Sequence, residues 1–161
     1  MSVRTASWLP LRAGERAVGI EVLVHGPLSR SELARRLGLS AGSLTRLTKP
    51  LIASGLLVEV AEGADSPAVR HGRPSQPLDI VADSWSFAGF KITQDMVYGV
   101  VTTLRSKVVA SIDRPLTTHD PTEVADLVAE LTKEFAARFP RLAGVGIGVG
   151  GRVEDRSVVT E

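Results

Sequence analysis

Two short stretches of helix-forming sequence lie on either side of a single glycine, and this pattern limits the possible fold more than any other feature of the chain. The first stretch, residues 30–37, follows Ser29, a predicted N-cap, and Glu32 lies where it would complete a capping box. Gly38 then provides the left-handed conformation that commonly ends a helix. We therefore expect a helix, a tight turn and a second helix over residues 41–54.

The second stretch has its own end signals, with Ser40 as the predicted N-cap and Gly55 as the terminating residue. Ala34 is small enough for two helices to cross closely, and the turn residue Gly38 follows it by four positions. Apolar residues fill the slots that would face inward: Leu33, Leu37, Leu39, Leu44, Leu47, Leu51 and Ile52. This pattern is typical of a helix-turn-helix, in which the second helix enters the major groove of DNA. A two-helix hairpin without a DNA role is the alternative.

Basic residues are concentrated in the predicted helix pair, although the net charge of the whole chain is only +1. Residues 30–49 contain five basic side chains and a single acidic one, Glu32. A local positive excess on a near-neutral chain indicates a confined contact surface for a polyanion. The alternative is an ordinary solvated helix surface.

The outward side of the second helix carries small and polar residues that could approach DNA. Ser43, Thr45 and Arg46 are expected to reach base edges, because arginine commonly binds guanine. Lys49 and two arginines of the first helix are expected to bind phosphates, which position a protein without specifying sequence. The predicted DNA-contacting residues of the helix pair are Arg35, Arg36, Ser40, Gly42, Ser43, Thr45, Arg46 and Lys49.

Two strand candidates, residues 56–60 and 77–81, flank a polar stretch that contains Gly and Pro, residues 62–76. A helix pair followed by strand, loop and strand has the outline of a winged helix-turn-helix. Arg70 and Arg73 in this loop are predicted to enter a narrow minor groove, whose negative potential attracts arginine. The alternative is a polar linker whose arginines pair with nearby carboxylates.

A further helix is predicted upstream, over residues 13–25, and Gly26-Pro27 ends it. Its inward face is expected to consist of apolar residues at helical spacing: Ala17, Ile20 and Val24. The first half is therefore divided into an N-terminal arm, residues 1–13, and a winged helix-turn-helix domain, residues 14–83.

The second half is rich in Val and Ile and predicts an α/β unit over residues 84–161. Its first three strands are expected at residues 86–93, 96–104 and 107–114. Asp120 and Pro121 are then the N-cap and first residue of a helix that runs to about residue 139. The inward residues of this helix are expected to be Val124, Leu127, Val128, Leu131 and Phe135. A buried, tightly packed strand, residues 143–149, follows.

Composition excludes several classes of site. The chain has no cysteine, so it can form no disulfide, thiolate metal site or Cys nucleophile. None of the three histidines, His25, His71 and His119, has a partner at metal-ligand spacing, and no Ser-His-Asp arrangement can be argued. No apolar run approaches the ~20 residues of a membrane helix. With 43% hydrophobic and 23% charged residues, we expect a folded cytoplasmic protein without a metal or cofactor in this chain.

Several segments together form a familiar combination. Residues 51–59 are followed by Gly72-Arg73-Pro74 and Leu78, and the second half contains residues 89–92, 96–101 and 142–151. The combination resembles the ROK family of bacterial repressors and sugar kinases. The second-half segments look like the start of its actin-like, ribonuclease H-like sugar-kinase fold. A winged helix joined to such a lobe is similar to the repressor branch, the xylose and N-acetylglucosamine repressor type.

This resemblance implies an α+β chain, with a winged helix-turn-helix followed by an incomplete actin-like lobe. It also implies a much longer protein. The sugar-contacting Asn-Asp pair, the His and Cys zinc site and the second lobe of the family would all follow residue 161.

The function implied is that of a sequence-specific DNA-binding transcriptional regulator, acting as a repressor. Its partners would be double-stranded operator DNA, a homo-oligomer (a dimer or a dimer of dimers) and a sugar or sugar-derivative effector. In the family, the loop after the strand that corresponds to residues 143–149 approaches the sugar. Gly150 and Gly151 follow this strand and are therefore candidates for effector contact. The alternative is that they are packing glycines.

Two other functions stay open. One is a ROK-type sugar kinase with an N-terminal extension, but kinase members carry an Asp-x-Gly-Gly-Thr phosphate loop. Residues 91–95 lack its glycine pair, so a chain without enzymatic activity is expected. The other is a winged-helix module that binds proteins, which would lack the steep salt dependence of DNA binding.

Overall fold

The computed structural model describes residues 11–61 and 76–150, together with the backbone of residues 152–154 and 157–159. These residues fall into two compact units, the first ending at Ser84 and the second beginning at Trp85. Residues 1–10 of the expected N-terminal arm lie outside the described residues. No helix within the described ranges is long and apolar enough to cross a membrane.

Three helices and a small antiparallel sheet make up the first unit. The helices are α1 (Ala13–His25), α2 (Arg30–Leu37) and α3 (Ala41–Ala53), and the strands are β1 (Leu57–Glu59) and β2 (Leu78–Ile80). Leu57 lies opposite Ile80 in the sheet. Leu28, ahead of α2, exchanges backbone hydrogen bonds of 2.9 and 2.8 Å with Leu78. The predicted helix-turn-helix followed by two paired strands is confirmed.

Local sequence signals set the ends of α2 and α3 as expected. The Oγ atoms of Ser29 and Ser40 each accept a hydrogen bond of 3.2 Å from the backbone N–H three residues later. Gly38 has φ 62° and Gly55 has φ 74°. A side chain in this left-handed region costs about 1–2 kcal/mol, so glycine is the residue that allows each helix to stop there. Helix α3 continues through Pro50 to its end.

The core of the first unit combines side chains from all three helices and both strands. Seven apolar residues are 1% exposed or less: Val18, Val22, Leu33, Leu44, Leu51, Leu57 and Leu78. Thr48 is also 1% exposed, a position that the apolar pattern missed. Its hydroxyl donates to the carbonyl oxygen of Thr45 at 3.3 Å, which satisfies the buried polar group. Leu47 and Ile52, expected to face inward, are only half-buried.

The inward face of α1 differs from the expected one. The buried residues are Val18, Gly19 and Val22, whereas Ile20 is 52% and Val24 65% exposed. The prediction was wrong because α1 is apolar on nearly every side. Helical periodicity then identifies no single face, and the contacts with α2, α3 and β2 decide it.

The second unit is a mixed four-stranded sheet with one helix. Its elements are β3 (Ser86–Ile92), β4 (Met96–Thr103), β5 (Val108–Pro115), α4 (Pro121–Arg138) and β6 (Leu142–Val149). The strand order is β5-β4-β3-β6. The first three strands are antiparallel neighbours, and β6 pairs parallel to β3. A parallel partner requires a crossover connection, which α4 provides.

Helix α4 starts where the sequence predicted and covers one side of this sheet. Asp120 accepts hydrogen bonds from the N–H groups of Thr122 and Glu123 at 2.9 and 3.1 Å. The buried cluster between helix and sheet consists of Ala88, Phe90, Val97, Val101, Val128, Leu131 and Phe135. The rings of Phe90 and Phe135 stack with centroids 5.8 Å apart. The predicted α+β class, a winged helix followed by a sheet with a helix, is confirmed.

Strand β6 is less buried than expected. Val145, Ile147 and Val149 are 46%, 57% and 51% exposed. Among the described strands β6 pairs with β3 alone, and so it lies at the edge of the sheet. The expectation of a buried, tightly packed strand was wrong, because a Val and Ile pattern indicates an apolar face but not the element that covers it.

After β6 the backbone forms an antiparallel pair of strands, β7 (Arg152–Glu154) and β8 (Ser157–Val159).

Candidate nucleic-acid interface

The outer side of α3 is the surface that a helix-turn-helix presents to DNA. Gly42, Arg46 and Lys49 are exposed, and their spacing of four and three residues lies along one face of the helix. The buried residues of α3, Leu44 and Thr48 among them, lie on the other side. Thr45 is also exposed, and Ser43 is half-buried. The residues predicted to contact DNA from α3 are therefore brought together on or beside one surface.

Hydrogen bonds within α3 determine what its hydroxyl groups can offer to a base. Ser40 Oγ donates to Ser43 Oγ at 3.0 Å while it caps the helix, which leaves the Ser43 proton available for another acceptor. Thr45 Oγ1 donates to the carbonyl oxygen of Ala41 at 2.9 Å. Thr45 therefore offers acceptor lone pairs and a methyl group, which suit a cytosine amino group or a thymine methyl.

Gly42 lies in the first turn of α3 with open space around it. A Cβ atom built at this position would meet nothing within 4 Å, and the residue does not have a positive φ. Neither packing within the described residues nor backbone conformation requires glycine here. Glycine within a helix is less favourable than alanine by roughly 0.5–1 kcal/mol. Close approach of another molecule to this turn of α3 is a physical reason for a glycine at position 42.

Arg35 and Arg36, in the last turn of α2, are paired with carboxylates. Arg35 makes two bonds to Glu32, Nε to Oε2 at 2.9 Å and Nη2 to Oε1 at 2.6 Å. Arg36 Nε donates to Glu32 Oε1 at 2.7 Å, and its Nη1 donates to Glu21 Oε1 on α1 at 3.0 Å. The side chain of Glu32 thus binds arginine, and no bond from the Ser29 N–H to this carboxylate is found in the described part of the chain. The expected capping box of α2 is therefore only half formed.

These pairs shift the ionisation of the groups involved. Hydrogen bonds from Arg35 and then Arg36 lower the pKa of Glu32 from 4.5 to about 2. The same hydrogen bonds raise the pKa of both arginines, and Glu21 adds to the effect on Arg36. Glu32 therefore stays ionised well below the pH at which an ordinary glutamate takes up a proton. Arg46 and Lys49, by contrast, have no acidic partner among the described residues.

The base of the wing is joined to α2 by a contact that the sequence did not indicate. Arg30 forms an ion pair with Glu59 of β1, and its Nη1 donates to the carbonyl oxygen of Gln76 at 3.3 Å. Arg30 and Glu59 are 29 residues apart, and no local spacing pattern links them. The predicted minor-groove residues Arg70 and Arg73 lie outside the described residues.

In the second unit, the candidate effector residue Gly150 lines a groove beside α4. Its N–H donates to the carbonyl oxygen of Ile92 at 3.0 Å. The groove has a volume of about 1010 Å³, and its lining includes Val124, Ile147, Val149 and His119. Gly151 lies outside the described residues. No group of three or more His, Cys, Asp or Glu side chains in the described ranges could hold a metal.

The fold and the exposed α3 surface together define a winged helix-turn-helix DNA-binding domain followed by an α/β unit. A family model described as "Winged helix-turn-helix DNA-binding" matches residues 21–58.

Whole-chain comparisons extend the similarity beyond this domain. The chain is 23% identical over 133 residues to the DNA-binding transcriptional repressor Mlc of Escherichia coli K12, covering 80% of this chain and 32% of that protein. It is 26% identical over 135 residues to a transcriptional regulator of Mycobacterium tuberculosis H37Rv, covering 83% and 30%. The crystal structure of a ROK family transcriptional regulator, a homologue of the E. coli protein, superposes with a TM-score of 0.67 at 22% identity, covering 91% of this chain and 40% of that one.

The chain therefore spans about a third of the length of the curated relatives it matches. The resemblance to ROK transcriptional regulators is confirmed for the N-terminal part of such proteins. The matches do not single out the xylose or N-acetylglucosamine type.

Proposed function

We propose that this chain is the DNA-binding part of a ROK-type transcriptional regulator, with α3 as the helix that enters the major groove. The observation that carries the proposal is the exposed face of α3, where Arg46 and Lys49 have no acidic partner among the described residues. A guanidinium without a carboxylate partner can bind the O6 and N7 atoms of guanine without first losing an ion pair. Gly42 carries only a hydrogen atom in place of a side chain, which lets the helix backbone approach the groove closely.

The regulatory part of the proposal is repression controlled by a sugar or sugar derivative. Its support is the similarity to a protein named as a repressor. In a dimer on a palindromic operator, an effector bound to the second domain would change the spacing of the two winged domains. It can act only through different affinities for the two arrangements. Gly150 and Gly151 remain candidates for effector contact, and a DNA-binding role would put the protein in the cytoplasm.

A sugar kinase with an N-terminal extension is the alternative, and the turn between β3 and β4 disfavours it. The Thr93 hydroxyl lies 3.1 Å from an Asp95 carboxylate oxygen and 3.0 Å from the Met96 carbonyl oxygen. The turn thus uses its own polar groups, and it lacks the glycine pair of a phosphate loop. We therefore favour a protein without kinase activity, and an ATP turnover assay on the full-length protein would decide.

The test of the DNA-binding proposal is selection of sites from a pool of random duplexes by the full-length protein, repeated with a panel of sugars. We expect enrichment of a palindromic sequence and loss of enrichment with the effector sugar. Arg46→Gln should weaken binding to the selected site by about 1–3 kcal/mol and relax specificity at one position. Lys107→Gln, which removes an exposed cation of the second unit, is the matched control and should bind as the wild type does. Failure to enrich any sequence would contradict the proposal.

A further inference from the structure

One carboxylate, Glu32, holds both arginines in the last turn of α2, Arg35 and Arg36. It binds Arg35 through two hydrogen bonds and Arg36 through one. Glu32 is therefore shared between two cations, and Glu21 on α1, which pairs with Arg36, is the fourth member of the cluster. Two carboxylates and two guanidinium groups leave this four-residue cluster without net charge. The positive excess of the helix pair is consequently smaller around α2 than the sequence alone indicates.

The two arginines differ in how firmly they are held. The Arg36 side chain is 34% exposed and pairs with carboxylates of both α1 and α2, so that it connects the two helices. The Arg35 side chain is 72% exposed and, within the described part of the chain, pairs with Glu32 alone. Arg35 can therefore leave its partner without disturbing a contact between helices, whereas Arg36 cannot.

We propose that Glu32 limits the affinity of this domain for DNA phosphate by holding Arg35, and that Arg36 connects α1 to α2 and does not bind phosphate. The proposal rests on the DNA-binding function proposed above. It divides the roles of two residues that the sequence predicted to act alike. Arg35 reaches a phosphate only when it exchanges the Glu32 carboxylate for it.

This exchange explains why Arg35 adds little affinity while Glu32 is present. Arg35 loses its ion pair with Glu32 when it forms one with a DNA phosphate. The carboxylate and the phosphate are both anions that can accept two hydrogen bonds from the guanidinium. Without the Glu32 carboxylate, Arg35 contacts a phosphate without losing an ion pair. Each phosphate contact of duplex DNA contributes about −0.9 to the slope of log K against log salt concentration. Removal of the Glu32 charge should therefore add about one such contact.

The experiment compares the wild-type chain with Glu32→Gln on a short fluorescent duplex of random sequence, by anisotropy over a series of salt concentrations. A random duplex suffices because phosphate contacts dominate non-specific binding. We expect the slope for E32Q to be steeper by about 0.9, and binding at low salt to be about 1.4- to 5-fold tighter, the range for an exposed ion pair. Gln retains a side chain that suits the first turn of the helix.

Four further variants test the assignment to Arg35. Asp83→Asn removes one exposed carboxylate of the same unit that has no arginine partner among the described residues, and it should keep the wild-type slope. Glu21→Gln should also keep it, because Glu32 still holds Arg36. In the double variant E32Q/R35Q the slope should return to the wild-type value, whereas R35Q alone should change it little.

Several results would overturn the proposal. They are a wild-type slope for E32Q, an equal steepening by D83N, or a steeper slope that persists in the double variant. If E32Q does not fold, R35Q alone carries the test, and a slope shallower by about 0.9 rejects the proposal. If the wild type itself shows no salt-dependent binding, the DNA-binding function fails and this proposal fails with it. Salt-dependent wild-type binding with an unchanged E32Q contradicts the Glu32 proposal alone.

Discussion

Replacing Gly42 by alanine should make the protein more stable and at the same time weaken its binding to DNA. The added Cβ would meet no atom within 4 Å, and the backbone is in a conformation that alanine adopts without strain. Alanine also restricts the unfolded chain more than glycine does. Gly42 lies on the same face as Arg46 and Lys49, so the new methyl group would lie between the helix and the groove.

The magnitude follows from helix propensity. Glycine to alanine in a helix gains about 0.5–1 kcal/mol. The first unit falls in the size range in which 1 kcal/mol shifts the melting temperature by about 4–8 °C, so a rise of about 2–8 °C is expected. Loss of one close contact with a base pair costs about 1–3 kcal/mol, or roughly 5- to 150-fold in affinity.

Thermal unfolding followed by circular dichroism and anisotropy on the selected duplex measure the two effects. Gly38→Ala is the matched control, because a Cβ there also meets nothing within 4 Å while φ is 62°. It should lose about 1–2 kcal/mol of stability. The reasoning is refuted if G42A destabilises the protein, or if it raises the melting temperature and leaves affinity unchanged. In the second case α3 would not approach DNA through this face.

Two further predictions concern other parts of the molecule. Gly99→Ala should destabilise the second unit by about 1–3 kcal/mol in denaturant unfolding, because its Cβ would lie 2.8 Å from Ile112 Cγ2 and 2.9 Å from Phe90 Cε1. Gly146→Ala, where the Cβ meets nothing within 4 Å, is the control. Equal losses of stability for the two variants would contradict the prediction. The depressed pKa of Glu32 predicts that its stabilising effect is fully present above pH 4.5 and is lost as the pH falls to about 2. The difference in melting temperature between the wild type and E32Q should therefore be constant above pH 4.5 and shrink below it; a difference that changes near neutral pH would point to another group.

The sequence predicted those features that depend on a few neighbouring residues. Ser29 and Ser40 cap their helices, and Gly38 and Gly55 end them, because capping and positive φ are decided within one turn of chain. The α3 surface could be predicted for the same reason, since a strongly amphipathic helix has only one side to bury.

Other features depend on neighbours that are distant in the sequence. The buried side of α1 is chosen by the elements around it, and the exposure of β6 depends on which strands and helices cover it. The Glu32 carboxylate lies where either a capping box or an ion pair could form, and only the positions of both arginines decide between them. The Arg30–Glu59 pair joins two elements through the tertiary fold.

Some residues of α3 are not the ones that would stabilise the fold best. Their positions support the assignment of α3 as the DNA-contacting helix. An exposed glycine in a helix lowers stability, and Arg46 and Lys49 have no carboxylate partner in the described residues to offset their repulsion. In α2, by contrast, charges are matched and the arginine between the helices is held from both sides. Departures from locally favourable choices are expected at functional sites. Since they fall on the outer face of α3 and not on α2, substitutions on that face should change DNA affinity more than stability, while changes at Arg36 should do the reverse.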